Sequence, residues 1–148
     1  MNLFDALSIS GSALSAERQR SEIIAANMAN AETTHTMAGG PYHRREVVFE
    51  TPAAGSFRLA LASTRQMPGN TPGSVHISQV VDDPAPPVMR YQPGHPDADS
   101  QGYVAYPSIN PAAEMVDLMG SVRAYQLNAS AVAATKSMIQ QSIEILKS

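Results

Sequence analysis

The sequence predicts a mainly α chain with a small β module: long N- and C-terminal helices pairing as a coiled-coil-like hairpin, with a Pro/Gly-rich β segment between them. Three observations lead there. Residues 1–31 contain no proline, whereas all eleven prolines fall within 32–111. In that middle stretch short β-branched runs alternate with chain breakers. Beyond Pro111 apolar residues recur in steps of three and four to the end of the chain, the period of an amphipathic helix. The division is therefore 1–31, an N-terminal helix; 32–111, a β-rich or extended middle module; and 112–148, a C-terminal helix that packs with 1–31.

In the first segment Asn2 is placed to cap free N–H groups, and Asp5 falls in the first turn, where the helix dipole favours an anion. Phe4, Leu7, Leu14, Ile24, Ala25 and Met28 supply an apolar stripe. Gly11, Arg18 and Ser21 thin it in the middle, and such a helix needs partners, because isolated helices are marginal in water. In the middle segment, residues 46–50, 57–61 and 74–81 have the alternation and β-branching of strands, with 89–91 and 102–106 as weaker candidates.

The C-terminal segment opens on Asn110-Pro111, a capping residue followed by a residue suited to the first helical position. Met115, Leu118, Val122, Tyr125, Ala129, Val132, Lys136, Ile139, Ile143 and Leu146 form its seam, with Lys136 as the polar interruption. A sustained 3.5-residue period belongs to a helix that winds around another. At about 1.5 Å per residue it reaches on the order of 50 Å, too far to bury its stripe on the small middle module. Off the seam lie Ala112, Ala113, Val116, Met119, Gly120, Ala124, Leu127, Ala131, Ala133 and Ala134. Many are small, and an apolar surface on several sides implies several neighbours.

Composition excludes some classes. A net charge of -3 offers no attraction to nucleic acid or an acidic membrane. The absence of cysteine removes disulfides and thiolate metal sites. No apolar run approaches the roughly 20 residues of a membrane span, and the N-terminus lacks the basic and apolar regions of a cleaved signal peptide. Phosphate loops, nucleophile elbows and paired-histidine zinc motifs are missing, so neither a cofactor nor a catalytic residue is expected. His95, Asp97 and Asp99 together can ligate a divalent cation. The prolines at 93 and 96 favour instead a tight turn in which aspartate side chains accept backbone N–H groups. His43, Arg44 and Arg45 read as a solvated loop flank rather than a phosphate site. Asn128-Ala129-Ser130 falls inside the helix and is discounted as a glycosylation acceptor.

Several motifs carry a resemblance. Asn2-Leu3-Phe4-Asp5-Ala6-Leu7, Ser12-Ala13-Leu14-Ser15-Ala16-Glu17-Arg18 and Ala26-Asn27-Met28-Ala29-Asn30-Ala31-Glu32-Thr33-Thr34 resemble the N-terminal signature of bacterial flagellar rod and hook proteins. Gly39-Gly40-Pro41-Tyr42 with Arg44-Arg45, and Tyr91 to Asp99 followed by Gly102-Tyr103-Val104, are similar to members of that family in the proximal rod. The closing helix, with Glu114 to Met119 and Arg123-Ala124-Tyr125-Gln126, is similar too. Ser108, Gln92 and Gln126 depart from its usual residues.

The resemblance implies a structural, non-enzymatic subunit of the basal-body drive shaft. It would assemble with further copies and other flagellar rod proteins into a helical tube, its other contacts being the surrounding ring or bushing and the base of the export gate. It implies a periplasmic rod location reached by flagellar type III export without a cleaved signal peptide. The assembly seam would comprise Phe4, Leu7, Leu14, Ile24, Met28, Met115, Leu118, Val122, Tyr125, Ala129, Val132, Ile139, Ile143 and Leu146. The family-motif residues would be Asn27, Asn30, Thr33, Thr34, Gly39, Gly40, Pro41, Tyr42, Pro93, Gly94, His95, Pro96, Asp97, Asp99, Gly102 and Tyr103. Two alternatives stand beside it. One is another rod or hook axial component; the other is a small metal-dependent hydrolase or binding adapter built on the His95 cluster.

Overall fold

Among the described residues, two long helices flank four short strands in chain order. The computed structural model describes residues 3–51 and 73–147. Its elements are α1 (Leu3–Ala29), β1 (Arg45–Glu50), β2 (His76–Asp82), β3 (Val88–Tyr91), β4 (Tyr103–Tyr106) and α2 (Pro111–Lys147). The candidate strand at 57–61 and the cap at Asn2 lie outside the described residues. β1 pairs with β2, and β3 with β4, giving two separate two-stranded sheets.

Helix ends follow local chemistry. Asn110 Oδ1 accepts the Ala112 N–H at 3.0 Å, and the Asn110 carbonyl accepts the Glu114 N–H at 3.1 Å, so α2 begins with a satisfied cap. α1 stops at Ala29 rather than running to Ala31. There the Asn30 amide donates to the Ala26 carbonyl at 2.8 Å, and the next backbone bonds shorten to three-residue turns, Ala31 to Met28 and Thr33 to Asn30. An asparagine that bonds back along the chain competes with helix continuation.

The chain divides into two compact units. One comprises Met1–Gln19, Phe49–Ser78 and Ser121–Ser148; the other comprises Arg20–Val48 and Gln79–Gly120. In the first unit Ser12 donates to the Ile9 carbonyl at 2.7 Å and accepts the Val75 N–H at 3.0 Å. Residues 73–75 are thereby tied to α1, and Ser74 is buried, as are Ala16, Ser121 and Thr135 of that unit's helices.

In the second unit Ile24, Ala31, Val104 and Tyr106 are buried. The β3–β4 register pairs Val88 with Tyr106, Met89 with Ala105, Arg90 with Val104 and Tyr91 with Tyr103. Alternation turns Val104 and Tyr106 inward and leaves Met89, Tyr91 and Tyr103 on the open face. A two-stranded sheet is marginal by itself, and cross-strand contacts hold this one. Tyr91 and Tyr103 meet edge-on at 5.3 Å, and the Arg90 guanidinium lies over the Tyr106 ring at 4.5 Å. Tyr106 also donates to Gln92 Oε1 at 2.8 Å.

Gly102 makes the approach to β4 feasible. Its φ is +83°, and a Cβ there would sit 2.9 Å from Tyr91 Cε2 and 3.1 Å from Pro93 Cβ. Gly102→Ala is expected to lower unfolding stability by about 1–3 kcal/mol through backbone strain and displacement of Tyr91. Denaturant unfolding measures this; an alanine variant as stable as the parent would contradict the packing described.

Candidate functional site

The most constrained polar chemistry lies where α1, the 41–46 segment and α2 meet within the second unit. Asn27, on the last turn of α1, is 1% exposed. Its Nδ2 donates to the Arg45 carbonyl at 2.9 Å and to Glu114 Oε2 at 3.2 Å. Its Oδ1 accepts the Arg45 N–H at 2.9 Å and the Tyr42 hydroxyl at 3.1 Å. Both donors and both acceptor positions of the amide are thus used.

Glu114, at the first turn of α2, is also 1% exposed. Its Oε1 receives the Arg44 Nε–H at 2.6 Å, so the buried carboxylate has a cation and an amide donor. Arg44 further pairs with Glu46 and lies 4.0 Å from Asp83 Oδ2 and 3.8 Å from Asp117 Oδ2. Burial pulls the Arg44 pKa down, but the hydrogen bond and charge of Glu114, followed by those of Glu46, more than offset it. The guanidinium is held above its usual value, fully charged.

This corrects the sequence reading of residues 43–45 as a solvated flank. The Arg44 side chain is 24% exposed and bound to a buried carboxylate. Arg45 remains half open, beside Asp82 at 3.5 Å and over the Tyr42 ring at 5.7 Å. The adjoining concavity, lined by Pro41, Tyr42, Asp83, Pro87 and Pro107 among others, has a volume of ≈ 10 Å³. That is room for about one water, whereas small-molecule sites take about 300 Å³ or more.

Several of the family-motif residues connect to this hub. Tyr42 N–H bonds the Thr33 carbonyl at 3.1 Å, and Thr36 and Gly40 close the loop between them at 2.9 Å. Thr34 Oγ1 donates to Asp97 Oδ2 at 2.7 Å, fastening that loop to the His95 turn. In the turn, Asp99 Oδ1 accepts the Gln101 and Tyr103 N–H groups, each at 2.8 Å, and His95 Nδ1 accepts the Asp97 N–H at 3.1 Å. Of the three side chains weighed as cation ligands, His95 and Asp99 accept backbone N–H groups of the turn and Asp97 accepts the Thr34 hydroxyl. Among the described residues no group of three or more His, Cys, Asp or Glu is arranged to hold a metal.

The seam residues present a different picture. Ile24 is buried, and Leu7, Leu14, Met28, Leu118, Val132 and Ile139 are partly covered. Phe4, Met115, Val122, Tyr125, Ala129 and Ile143 are exposed. Of Leu146 only the backbone is described. The residues that α2 buries are instead Glu114, Ser121 and Thr135, with Asn128 partly covered. They keep the seven-residue spacing of the seam, each one position before Met115, Val122, Ala129 and Lys136, and being polar they carry no apolar signal in the sequence. Asn128 and Thr135 satisfy their side chains on the carbonyls of Ala124 and Ala131, each at 2.9 Å. No helix among the described residues is long and apolar enough to cross a membrane.

Comparison with known proteins meets these features at both ends of the chain. Residues 7–34 match the family model described as Flagella basal body rod protein, and residues 100–145 match Flagellar basal body rod FlgEFG protein C-terminal. Together these define a flagellar rod-class protein. Over nearly its whole length the chain is 38% identical to flagellar basal-body rod protein FlgC of Yersinia enterocolitica, covering 98% of this chain and 96% of that one. It is 37% identical to the FlgC protein of Bacillus subtilis, over 99% and 100% of the two chains, and 36% to that of Escherichia coli, over 98% and 96%. The chain belongs to the FlgC family of flagellar basal-body rod proteins.

The Tyr42 hydroxyl in the hub generates a pH dependence. Burial is the main cause that raises its pKa above the ordinary 10.0; Arg45 lowers it, and Asp82 and Glu114 raise it further. The fold therefore favours the neutral phenol. Its contribution is complete below the unfolded value and is lost as pH rises through the raised folded value. Stability should fall more steeply above about pH 10 in the parent chain than in Tyr42→Phe. Thermal unfolding from neutral to alkaline pH measures the gap; parallel curves would contradict a protonated hydroxyl in the hub.

Proposed function

We propose that this structural rod subunit joins the flagellar rod through its two terminal helices, packing with further copies and other rod proteins in a helical tube. The observation that carries the reading is the inversion of α2. It buries Glu114, Ser121 and Thr135 and leaves Met115, Val116, Met119, Val122, Tyr125 and Ile143 exposed. A helix of a self-sufficient domain does the reverse, and exposed apolar surface of this kind marks an association site. Each large seam side chain brings about 1.5–3 kcal/mol when fully covered.

The role is mechanical rather than catalytic, and the engagement of His95 and Asp99 with turn amides and of Asp97 with Thr34 supports this. The loops around Gly39, Pro41 and His95 face adjacent subunits or the surrounding ring, and the base of the export gate is a further contact. The chain reaches the periplasmic rod by flagellar export.

Val122 is 45% exposed, so an aspartate there is tolerated by the lone chain but places an unpaired carboxylate in the assembled interface. Val122→Asp should reduce rods and motility on the order of a hundredfold, given the cost of burying an unpaired charge, with helix content and hub unchanged. Basal bodies counted by electron microscopy, with circular dichroism of the purified chain, measure both. Rods at parental numbers would remove the α2 face from the mechanism.

A further inference from the structure

Met115 and Met119 stand one helical turn apart on α2, both within the same compact unit, and are 54% and 68% exposed. Val116 between them is 68% exposed, so the two thioethers sit in a continuous apolar patch. Met28, by contrast, is partly covered on α1. Sulfur exposure sets the oxidation rate of methionine, and the product is a polar sulfoxide that disrupts apolar interfaces.

We propose that Met115 and Met119 are an oxidative modification site that gates incorporation of the subunit. The proposal rests on the reading of the exposed α2 face as an assembly surface. The oxidant is a peroxide. The thioether sulfur attacks one peroxide oxygen, the O–O bond breaks, and an S–O bond forms. The displaced hydroxide takes the proton carried by the transferred oxygen and leaves as water, leaving the neutral sulfoxide. Sulfur loses two electrons and the peroxide gains them. In the free subunit both sulfurs are open to this reaction; once covered by a neighbour they are shielded. A sulfoxide formed beforehand carries a strong acceptor into a surface that offers it no donor. Each one weakens association about tenfold. Reduction by a methionine sulfoxide reductase restores the thioether, so the gate is reversible.

The test replaces the cell's own copy with the parent chain, with Met37→Leu, or with the double variant Met115→Leu/Met119→Leu. Expression is induced with and without sublethal hydrogen peroxide. The readout is the ratio of rod-bearing basal bodies with peroxide to those without, each strain against itself. Mass spectrometry of the unassembled chain scores the sulfoxides. The ratio should fall about tenfold or more for the parent and for Met37→Leu, which removes the most exposed methionine off the helix. It should stay near unity for the double leucine variant, and extra reductase should restore the parent. An equal fall in parent and double leucine variant, or no fall in the parent despite sulfoxide at both sites, overturns the proposal. Should the double leucine variant build no rods, Met115→Gln/Met119→Gln provides the polar state permanently; normal rods from it overturn the proposal and their absence supports it. Val122→Asp, grown without peroxide, separates the two levels. If it blocks rods while peroxide does not, the oxidation proposal fails alone; if it builds normal rods, the assembly-face reading fails.

Discussion

A carboxylate at 1% exposure sets the terms for half of this molecule. An ionised group removed from water must find a cation and hydrogen-bond donors, or its burial costs several kcal/mol. Glu114 finds Arg44 from the segment before β1 and Asn27 from α1. Asn27 in turn accepts the backbone N–H of Arg45 and the hydroxyl of Tyr42. One side chain on each helix thereby fixes where the loop between them must run, and through Thr34 and Asp97 where the His95 turn is attached. Buried ion pairs often contribute little net stability, while loss of one partner costs about 3–5 kcal/mol. Here the network joins three segments of the chain and leaves every donor and acceptor of Asn27 engaged.

Much of the fold was legible because backbone chemistry is local. Asn110-Pro111 marked the start of α2 at the residue where it begins. Residues 46–50, 74–81, 89–91 and 102–106 each fall within one or two residues of an observed strand boundary. The His95 segment was readable as a turn for the same reason, since Asp99 bonds the amides two and four residues ahead of it.

The hub was not legible, because it joins residues far apart in sequence and hides polar groups where apolar ones are expected. Arg44 looked like one member of a basic patch, and nothing local to it distinguishes a solvated guanidinium from one bound to a carboxylate seventy residues away. The same assumption misplaced the inner face of α2. A 3.5-residue apolar period identifies a packing seam but does not say who packs on it. The seven-residue series Glu114, Ser121, Asn128 and Thr135 lies next to the apolar one, and the lone chain covers the polar series. That outcome is unfavourable for a monomer and sensible for a rod subunit, whose apolar faces find their cover in neighbours.

The central claim is therefore that the hub is complete in the free subunit while the apolar face of α2 is covered in the rod. Hydroxyl-radical footprinting of the free chain and of purified basal bodies tests it at side-chain level. Val122, Tyr125 and Ile143 should label readily in the free chain and be protected in basal bodies, whereas Tyr42, already engaged in the hub, should change little. Equal labelling of Val122, Tyr125 and Ile143 in the two states would contradict the account.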